Sequence, residues 1–271
     1  MSDLLVYVQT IQAKIFGALI DSCKDIVHEV NMIFSPSGIE ICAVDTKQRG
    51  QALYINLDAA KFDAFTCETK YTAGVNMVMF AKILKSAVAH DIITISINRS
   101  EPYIIFIQLS NPRTGVTKEY RMKSIDLDTM VTENASAAYI KETTVQPMME
   151  LHTQPNILTT IFKDLMSMTT SMVTIGASHE ELQFTSTTSM ISGCHRIQFD
   201  DNANVIVRPS ETDIFYGQFS LNLLLRYTKF AKMSCDVKLS LYHLKDDEMV
   251  CIKYTCADLG HIYLMLSQQT S

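Results

Sequence analysis

Apolar positions recur at helical spacing in two stretches of the chain that lie roughly 140 residues apart. The first stretch runs from residue 11 to 27, and the second begins at Pro155, a residue that suits the first turn of a helix. In both stretches residues three and four apart fall on one apolar side, which predicts an amphipathic helix. The apolar positions are Ile15, Phe16, Leu19, Cys23, Ile26 and Val27 in the first stretch and Ile157, Leu158, Ile161, Phe162, Leu165 and Met166 in the second.

Segments typical of β-strands, separated by turn-forming residues, follow each of these helices. Further along each half, predicted strands flank a second helix. The first half has predicted strands at 30–34, 39–44, 53–57, 71–74, 92–97 and 103–109 and a second helix at 76–87. The second half has predicted strands at 172–175, 182–185, 196–199, 214–219, 237–242 and 249–255 and a second helix at 221–232.

The order of elements is therefore the same twice, which predicts a duplicated unit. Antiparallel sheets with helices segregated on one face make the predicted fold class α+β. The stretch between the halves is rich in Thr, Asn, Ser and Ala and is interpreted as a connector. We predict an N-terminal half at 1–127, a connector at 128–138 and a C-terminal half at 139–271.

Composition limits the class of protein. The chain has 271 residues, 47% of them apolar, which is enough for a substantial core. There is no apolar run of the ~20 residues that a membrane helix needs, and the first residues lack the features of a signal peptide, so a soluble intracellular protein is expected. The seven cysteines are odd in number and form no C-x-x-C pair, which favours buried thiols over disulfides or a zinc site.

Positive charge is concentrated on the second helix of each half, although the formal net charge of the chain is −6. Lys82 and Lys85 in the first half, and Arg226, Lys229 and Lys232 in the second, occur in windows without an acidic residue. A single basic helix face is often only a solvated surface, but recurrence in both halves favours a function. The first helices are less basic, because acidic residues accompany their Lys14 and Lys163. Lysine-rich faces suit sequence-independent contact with phosphates.

Motifs of catalysis are not evident in the sequence. A Walker loop and a G-x-S-x-G elbow are absent. Cys194 and His195 are neighbours on a predicted strand, and adjacent side chains there point to opposite faces. Asp126 and Asp128 could share a strand face and hold a metal ion, although a solvated strand end is the favoured interpretation. No catalytic residue, metal site or cofactor is predicted.

Six short runs of the sequence, spread over both halves, carry a resemblance to a known family. The runs are Gly74-Val75-Asn76-Met77, Lys82-Ile83-Leu84-Lys85, Asp91-Ile92-Ile93-Thr94, Asp126-Leu127-Asp128, Leu225-Arg226-Tyr227 and Ala257-Asp258-Leu259-Gly260-His261. They resemble the proliferating cell nuclear antigen (PCNA) family of DNA sliding clamps, and the order of elements matches along nearly the whole chain. The resemblance implies a non-catalytic homotrimeric ring, with helices that line a central hole and sheets outside.

The resemblance also implies roles for individual residues. The candidates to face DNA are Lys14, Lys82, Lys85, Lys163, Arg226, Lys229 and Lys232. The strand at 117–123 would pair with the strand at 182–187 of the next subunit, and the implied interface residues are Thr117, Tyr120, Met122, Leu182, Phe184 and Thr185. A groove for partner peptides would be formed by Val44, Gln48, Arg49, Met130, Val131, Thr132, Asn134, Met249, Met265, Ser267 and Gln268.

The implied partners are double-stranded DNA, a DNA polymerase and other replication and repair proteins that carry short peptide motifs, and a clamp loader. The connector has Thr132, Glu133 and Asn134 where the family usually has an apolar pair beside a glycine, and Ser267-Gln268 replaces an Ala-Pro step. These departures indicate a divergent clamp, plausibly viral, in the nucleus or at cytoplasmic replication sites.

Two other interpretations remain open. The altered connector would also fit a subunit of a hetero-trimeric checkpoint ring, or a viral scaffold for replication or transcription that does not encircle DNA. An enzyme that acts on nucleic acid through Asp126 and Asp128 belongs to a third class.

Overall fold

The computed structural model describes residues 3–45, 50–127, 145–168, 170–199, 205–244 and 247–269. Across these ranges the fold is α+β with antiparallel sheets, which confirms the predicted class. None of the described helices is both long and apolar enough to cross a membrane. Five of the seven cysteines are buried and two are exposed, in agreement with the prediction that most are buried thiols.

The first repeat contains nine strands and two α-helices among the described residues. It also contains a short 3-10 helix at Ala59–Lys61. The elements are β1 Leu4–Thr10, α1 Ala13–Cys23, β2 Glu29–Ser35, β3 Gly38–Asp45, β4 Gln51–Asp58, β5 Ala64–Thr66, β6 Tyr71–Asn76, α2 Met77–Leu84, β7 Ile92–Asn98, β8 Ile104–Ser110 and β9 Thr117–Lys123.

The second repeat has the same order of strands and helices, with a 3-10 helix at Thr228–Met233 directly after its second α-helix. Its elements are β10 Met149–Thr153, α3 Pro155–Ser167, β11 Met172–Ala177, β12 Glu181–Thr187, β13 Ser192–Gln198, β14 Val205–Val207, β15 Phe215–Ser220, α4 Leu221–Tyr227, β16 Val237–Leu244, β17 Asp247–Cys256 and β18 Gly260–Ser267.

Sheet neighbours repeat as well. In the first repeat β5, β1, β7, β8 and β9 form one sheet in that order, and β6, β2 and β3 are consecutive neighbours in another. In the second repeat the order β14, β10, β16, β17 matches the first sheet, and β15, β11, β12, β13 matches the second. The equivalent helices α2 and α4 begin at Met77 and Leu221, an offset of 144 residues (221 − 77). The duplication inferred from the sequence is therefore present in the strand topology.

Three of the four α-helices are shorter than predicted, and α3 is the exception. The first was predicted to reach residue 27 but ends at Cys23, because the next backbone N–H groups turn to closer carbonyls: Asp25 donates to Ser22 and Ile26 to Cys23. The second helix of the C-terminal half was predicted as one α-helix to residue 232, but it tightens into the 3-10 helix after Tyr227. Strands β1, β5, β10, β14 and β18 were not recognised in the sequence.

The chain divides into two compact units, which do not follow the repeats completely. Unit 1 comprises Met1–Ala43, Tyr54–Ser136 and Cys256–Ile262, and unit 2 comprises Val44–Leu53, Ala137–Thr255 and Tyr263–Ser271. The predicted division at 127 and 138 stays a prediction, since most of the connector lies outside the described residues. Each unit has an aromatic core contact: the rings of Phe16 and Phe80 meet edge to face at 6.2 Å, and those of Phe162 and Phe184 at 5.7 Å.

Candidate nucleic-acid interface

Helix α2 presents two lysines to solvent because its opposite side is fixed in the core. Its first turn is capped by Asn76, whose Oδ1 accepts a hydrogen bond from the Met79 N–H at 3.0 Å. Met77, Phe80, Ala81 and Leu84 are buried. With those positions facing inward, Lys82 and Lys85 are exposed on the outer face, as predicted.

Helix α4 and the 3-10 helix that continues it carry the equivalent charges. Arg226, Lys229 and Lys232 are all exposed, while Tyr227 is fully buried and its hydroxyl donates to the Met265 carbonyl at 3.1 Å. A 3-10 helix has three residues per turn, so side chains three apart lie almost directly above one another. The change of helix type at Thr228 therefore lines up Lys229 and Lys232 along one edge.

The first helix of the N-terminal repeat brings a further lysine to α2. Lys14 is exposed and lines, together with Lys85, a groove of about 360 Å³ between α1 and α2. The helices approach closely at Gly17, where a Cβ would lie 3.7 Å from the Leu84 carbonyl oxygen. Two lysines that are distant in sequence thus line one groove within unit 1.

Lys24 lines the same groove, but its charge is opposed by an acidic neighbour. Its ammonium group forms an ion pair with Asp21, three residues earlier in α1. The hydrogen bond to Asp21 is the main reason that the pKa of Lys24 is raised above its ordinary value. An acidic residue therefore balances the charge of Lys24 at the end of α1.

Helix α3 offers a weaker basic surface. Pro155 is in its first turn, as predicted, and Leu158, Ile161, Phe162 and Leu165 are buried. Lys163 is exposed, but so is its neighbour Asp164. All seven side chains predicted to face DNA are therefore exposed, and α3 contributes the least positive field.

The strands predicted to join subunits have different surroundings from one another. Strand β9 is at the edge of its sheet, since it pairs with β8 and has no second neighbour among the described strands. On it Thr117 is exposed, Tyr120 is half-buried and Met122 is buried.

The prediction that the strand at 182–187 provides the other edge is wrong. Strand β12 pairs with β11 on one side and with β13 on the other, so its backbone groups are already hydrogen-bonded within the sheet. Leu182 and Phe184 are fully buried, and Thr185 is half-buried. The strand of this sheet with one neighbour among the described strands is β13.

A polar cluster at the end of α2 was missed by sequence reasoning. The Lys118 ammonium group donates to the Ser86 carbonyl at 2.6 Å, and the Ser86 hydroxyl lies 3.0 Å from the Tyr120 hydroxyl. Ser86 also donates its hydroxyl to the Ile83 carbonyl at 2.7 Å. The only sequence signal was the two-residue spacing of Lys118 and Tyr120, which puts them on one face of a strand.

The described members of the predicted partner groove belong to unit 2. Val44 and Met249 are half-buried and Met265 is buried. The backbone N–H groups of Ser267 and Gln268 donate to the Gly50 and Glu248 carbonyls, both at 2.8 Å. The remaining candidates lie outside the described residues: Gln48, Arg49, Met130, Val131, Thr132 and Asn134.

A buried acid lies next to this groove and was also not anticipated. Burial raises the pKa of Glu248 above its ordinary value, while His243, whose Nδ1 is 2.5 Å from Glu248 Oε1, lowers it. Glu248 precedes Met249 on β17 and its carbonyl holds the Gln268 N–H. This backbone hydrogen bond, and not the carboxyl group, links Glu248 to the last residues of the described chain.

Of the two residue pairs considered for catalysis, the structure describes both members of only one, Cys194 and His195. Along β13, Cys194 is exposed and His195 is half-buried, in a strict alternation of faces. Asp126 is exposed, and Asp128 lies outside the described residues. Within the described ranges, no group of three or more His, Cys, Asp and Glu side chains is arranged to hold a metal ion.

Comparison with known proteins gives a consistent result. Residues 6–131 match the family model for the N-terminal domain of proliferating cell nuclear antigen. The chain is 26% identical over 268 residues to the probable DNA polymerase sliding clamp 1 of Paramecium bursaria Chlorella virus 1, covering 98% of this chain and 97% of that protein.

Two cellular proteins are similar at the same level. Proliferating cell nuclear antigen of Dictyostelium discoideum is 26% identical over 268 residues, covering 95% of this chain and 96% of that protein. Proliferating cell nuclear antigen of Chaetomium thermophilum is 27% identical over 240 residues, covering 85% of this chain and 86% of that protein.

Proposed function

Because the chain is a divergent member of the proliferating cell nuclear antigen family, we propose that it is a DNA sliding clamp that encircles duplex DNA as a homotrimeric ring. The observation that carries the proposal is the recurrence of exposed basic residues at equivalent places. Lys82 and Lys85 on α2 correspond, at the same offset of 144 residues, to Arg226 and Lys229 at α4. Such faces contact phosphates without reading the base sequence, as a sliding protein requires.

Ring closure is proposed to pair β9 of one subunit with β13 of the next. The support comes from the repeat itself, because β18, the equivalent of β9, lies next to β4, the equivalent of β13. Asp58 N–H donates to the Leu259 carbonyl at 2.9 Å and Ser267 N–H to the Gly50 carbonyl at 2.8 Å at the two ends of that pairing. Pairing β9 with β13 would cover two sheet edges that are otherwise exposed.

The ring is proposed to act as a non-catalytic tether in DNA replication and repair. A polymerase or other protein that docks through a short peptide motif at the groove of Val44, Met249 and Met265 would be held near its substrate, which raises its effective concentration. A separate loader would open and close the ring. The sites of action would be the nucleus, or cytoplasmic replication sites if the chain is viral.

The decisive experiment combines oligomeric state with retention on DNA. Native mass spectrometry at micromolar concentration should give a homotrimer. After loading by a cognate loader, the protein should remain on a closed circular plasmid in high salt and should leave after the plasmid is cut once.

The outcomes separate the alternatives. A protein that stays monomeric, or that trimerises only when mixed with related subunits, contradicts the homotrimeric ring and favours the checkpoint type. Equal retention on circular and cut plasmid contradicts encirclement, because a threaded ring slides off an open end.

A further inference from the structure

Strands β4 and β18 are neighbours inside the chain, and they are the equivalents of the two strands proposed to join subunits. The Asp58 N–H donates to the Leu259 carbonyl at 2.9 Å, and the bond at the other end of the pairing, 2.8 Å long, fits the same antiparallel register. Counting inward from the first bond puts Ile262 opposite Ile55. Both isoleucines are 0% exposed, so this position of the pairing is apolar within the chain.

This register can be transferred to β13 because the offset between β4 and β13 is fixed by equivalent hydrogen bonds. The N–H of Ala59, directly after β4, and the N–H of Phe199, directly after β13, each donate to a carbonyl in the turn before the neighbouring strand, at 2.9 and 2.8 Å. The offset is therefore 140 residues (199 − 59). It makes His195 the equivalent of Ile55.

Strand β9 precedes β18 by 144 residues, the offset that relates α2 to α4. At this offset the less exposed side of β9 coincides with the buried side of β18. Lys118 is then the equivalent of Ile262. In the transferred register Lys118 of one subunit lies opposite His195 of the next, so an apolar pair within the chain is replaced by two ionisable side chains between subunits.

Apolar side chains on both edges support this register. Val116 and Ile191 are apolar and yet each is 52% exposed. In the transferred register Val116 lies opposite Ile197 of the next subunit, and Met122 lies opposite Ile191. A shift by two residues in either direction, the smallest that keeps each side chain on its face, would break both apolar pairs.

We propose that protonation of His195 weakens subunit association, because the imidazolium group of one subunit then lies opposite the Lys118 ammonium group of the next. The two residues occupy a non-hydrogen-bonded position, where facing side chains are closest. Like charges directly opposite destabilise an antiparallel pair. Histidine changes its charge between about pH 5 and 8, so association is stronger at the upper end of this range and is lost as the pH falls. The proposal rests on the clamp function above.

In the subunit that contributes β13, the neighbouring elements bring no other charge directly opposite His195. Phe184 lies opposite it on β12. Glu181 of the same strand is on the other face, 3.7 Å from Arg196. The ionisable side chains of α3 are Lys163 and Asp164, both exposed.

In the subunit that contributes β9, the Lys118 ammonium group is held by the Ser86 carbonyl at 2.6 Å, and Leu109 lies opposite Lys118 on β8. Asp91, after α2, is 2% exposed and accepts hydrogen bonds from the Val88 N–H and the Asn111 side chain. Lys85 adds positive charge beside Ser86, and Glu119 is on the other face of β9. Lys118 is therefore the ionisable side chain that His195 meets directly.

The test compares the dissociation constant of one subunit contact at about pH 5.5 with that at about pH 8, across the range in which histidine titrates. Förster transfer between labelled subunits follows dissociation on dilution. The ratio of the two constants is the readout, because a substitution that weakens association equally at both pH values leaves it unchanged.

His195→Gln, Lys118→Gln and the double variant should have the same ratio, and the wild-type ratio should exceed it by about two- to fivefold. Lys118→Glu should reverse the pH effect, because a protonated His195 then faces a carboxylate. The matched control is His28→Gln, which removes an exposed imidazole outside β9 and β13 and should keep the wild-type ratio.

Disulfide formation tests the register itself in a Cys235→Ser background. Glu119→Cys puts a thiol opposite the native Cys194 of the next subunit, on the exposed face of both strands, and should form an intersubunit disulfide on oxidation. Lys123→Cys is on the same face of β9 but four residues further along, and should not.

Circular dichroism at both pH values establishes that each variant is folded, and His195→Gln against His28→Gln decides the question if the Lys118 variants are not. A wild-type ratio equal to that of His195→Gln overturns the proposal, as does a Lys118→Gln ratio equal to that of the wild type. A disulfide from Lys123→Cys but not from Glu119→Cys overturns the register. A wild-type chain that is monomeric at every concentration contradicts the proposed ring instead, so the failures are distinguishable.

Discussion

The two repeats keep the same charges on their second helices but differ in what lies behind the ends of those helices. Behind α2 are Ser86, Lys118 and Tyr120, while the equivalent positions behind α4 are the fully buried Phe230, Ile262 and Leu264. The basic surface is thus preserved through the duplication, whereas the last strand is adapted to its neighbours. The difference indicates that the exposed charges of the second helix and the contacts of the last strand vary independently between the two repeats.

The largest expected effect comes from exchanging residues between the equivalent strands β9 and β18. Ile262→Lys puts an ammonium group where the side chain has no exposure, and should lower the free energy of unfolding by about 4 kcal/mol or more. The reciprocal change Lys118→Ile removes one hydrogen bond at a half-buried site, at a cost of about 1 kcal/mol. Urea unfolding at neutral pH measures both.

Equal costs for these two substitutions would contradict the distinction between an enclosed and an edge strand. Ile262→Val is a control that keeps the site apolar, and it should cost about 1 kcal/mol.

An intermediate effect tests whether the two basic helices are equivalent in function. Two double variants are compared: Lys82→Ala with Lys85→Ala, and Arg226→Ala with Lys229→Ala. Each should reduce the slope of log affinity against log salt by about two units, because each lost phosphate contact changes that slope by about 0.9. Fluorescence anisotropy with a short duplex of arbitrary sequence measures the slope. Equal losses are expected because the residues are exposed at matching positions.

Lys61→Ala with Lys70→Ala removes the same charge from exposed positions away from these helices and should leave the slope nearly unchanged. If this control pair has the same effect as a helix pair, binding depends on net charge rather than on the two helices.

The smallest effect concerns how the two helices begin. The Asn76 side chain caps α2 through the Met79 N–H, whereas Ser220 at the start of α4 makes no side-chain cap hydrogen bond. Asn76→Ala should therefore lower the free energy of unfolding by about 1 kcal/mol, and Ser220→Ala should change it by less than about 0.5 kcal/mol. Thermal unfolding monitored by circular dichroism is sensitive enough to rank them. The reverse ranking would mean that the caps are not as described.

Much of the fold could be predicted because its signals are local. The apolar stripe around Phe16 and the one around Phe162 identified α1 and α3, and the repeat in element order gave the α+β class. The exposed lysines of α2 followed from the buried positions opposite them. Strands such as β10 were missed because five residues that include Glu150 and His152 carry too little alternation to stand out.

The sequence by itself determined which faces of the helices are apolar and which are basic, since periodicity reports burial along one element. Only the tertiary structure decided that β13 rather than β12 is the last of the described strands in its sheet, that Lys14 and Lys85 share a groove, and that Lys118 reaches Ser86. The physical reason is that strand pairing and end-of-helix contacts join residues far apart in the chain. Periodicity indicates that a side of a strand is buried, but it does not specify the group against which that side packs.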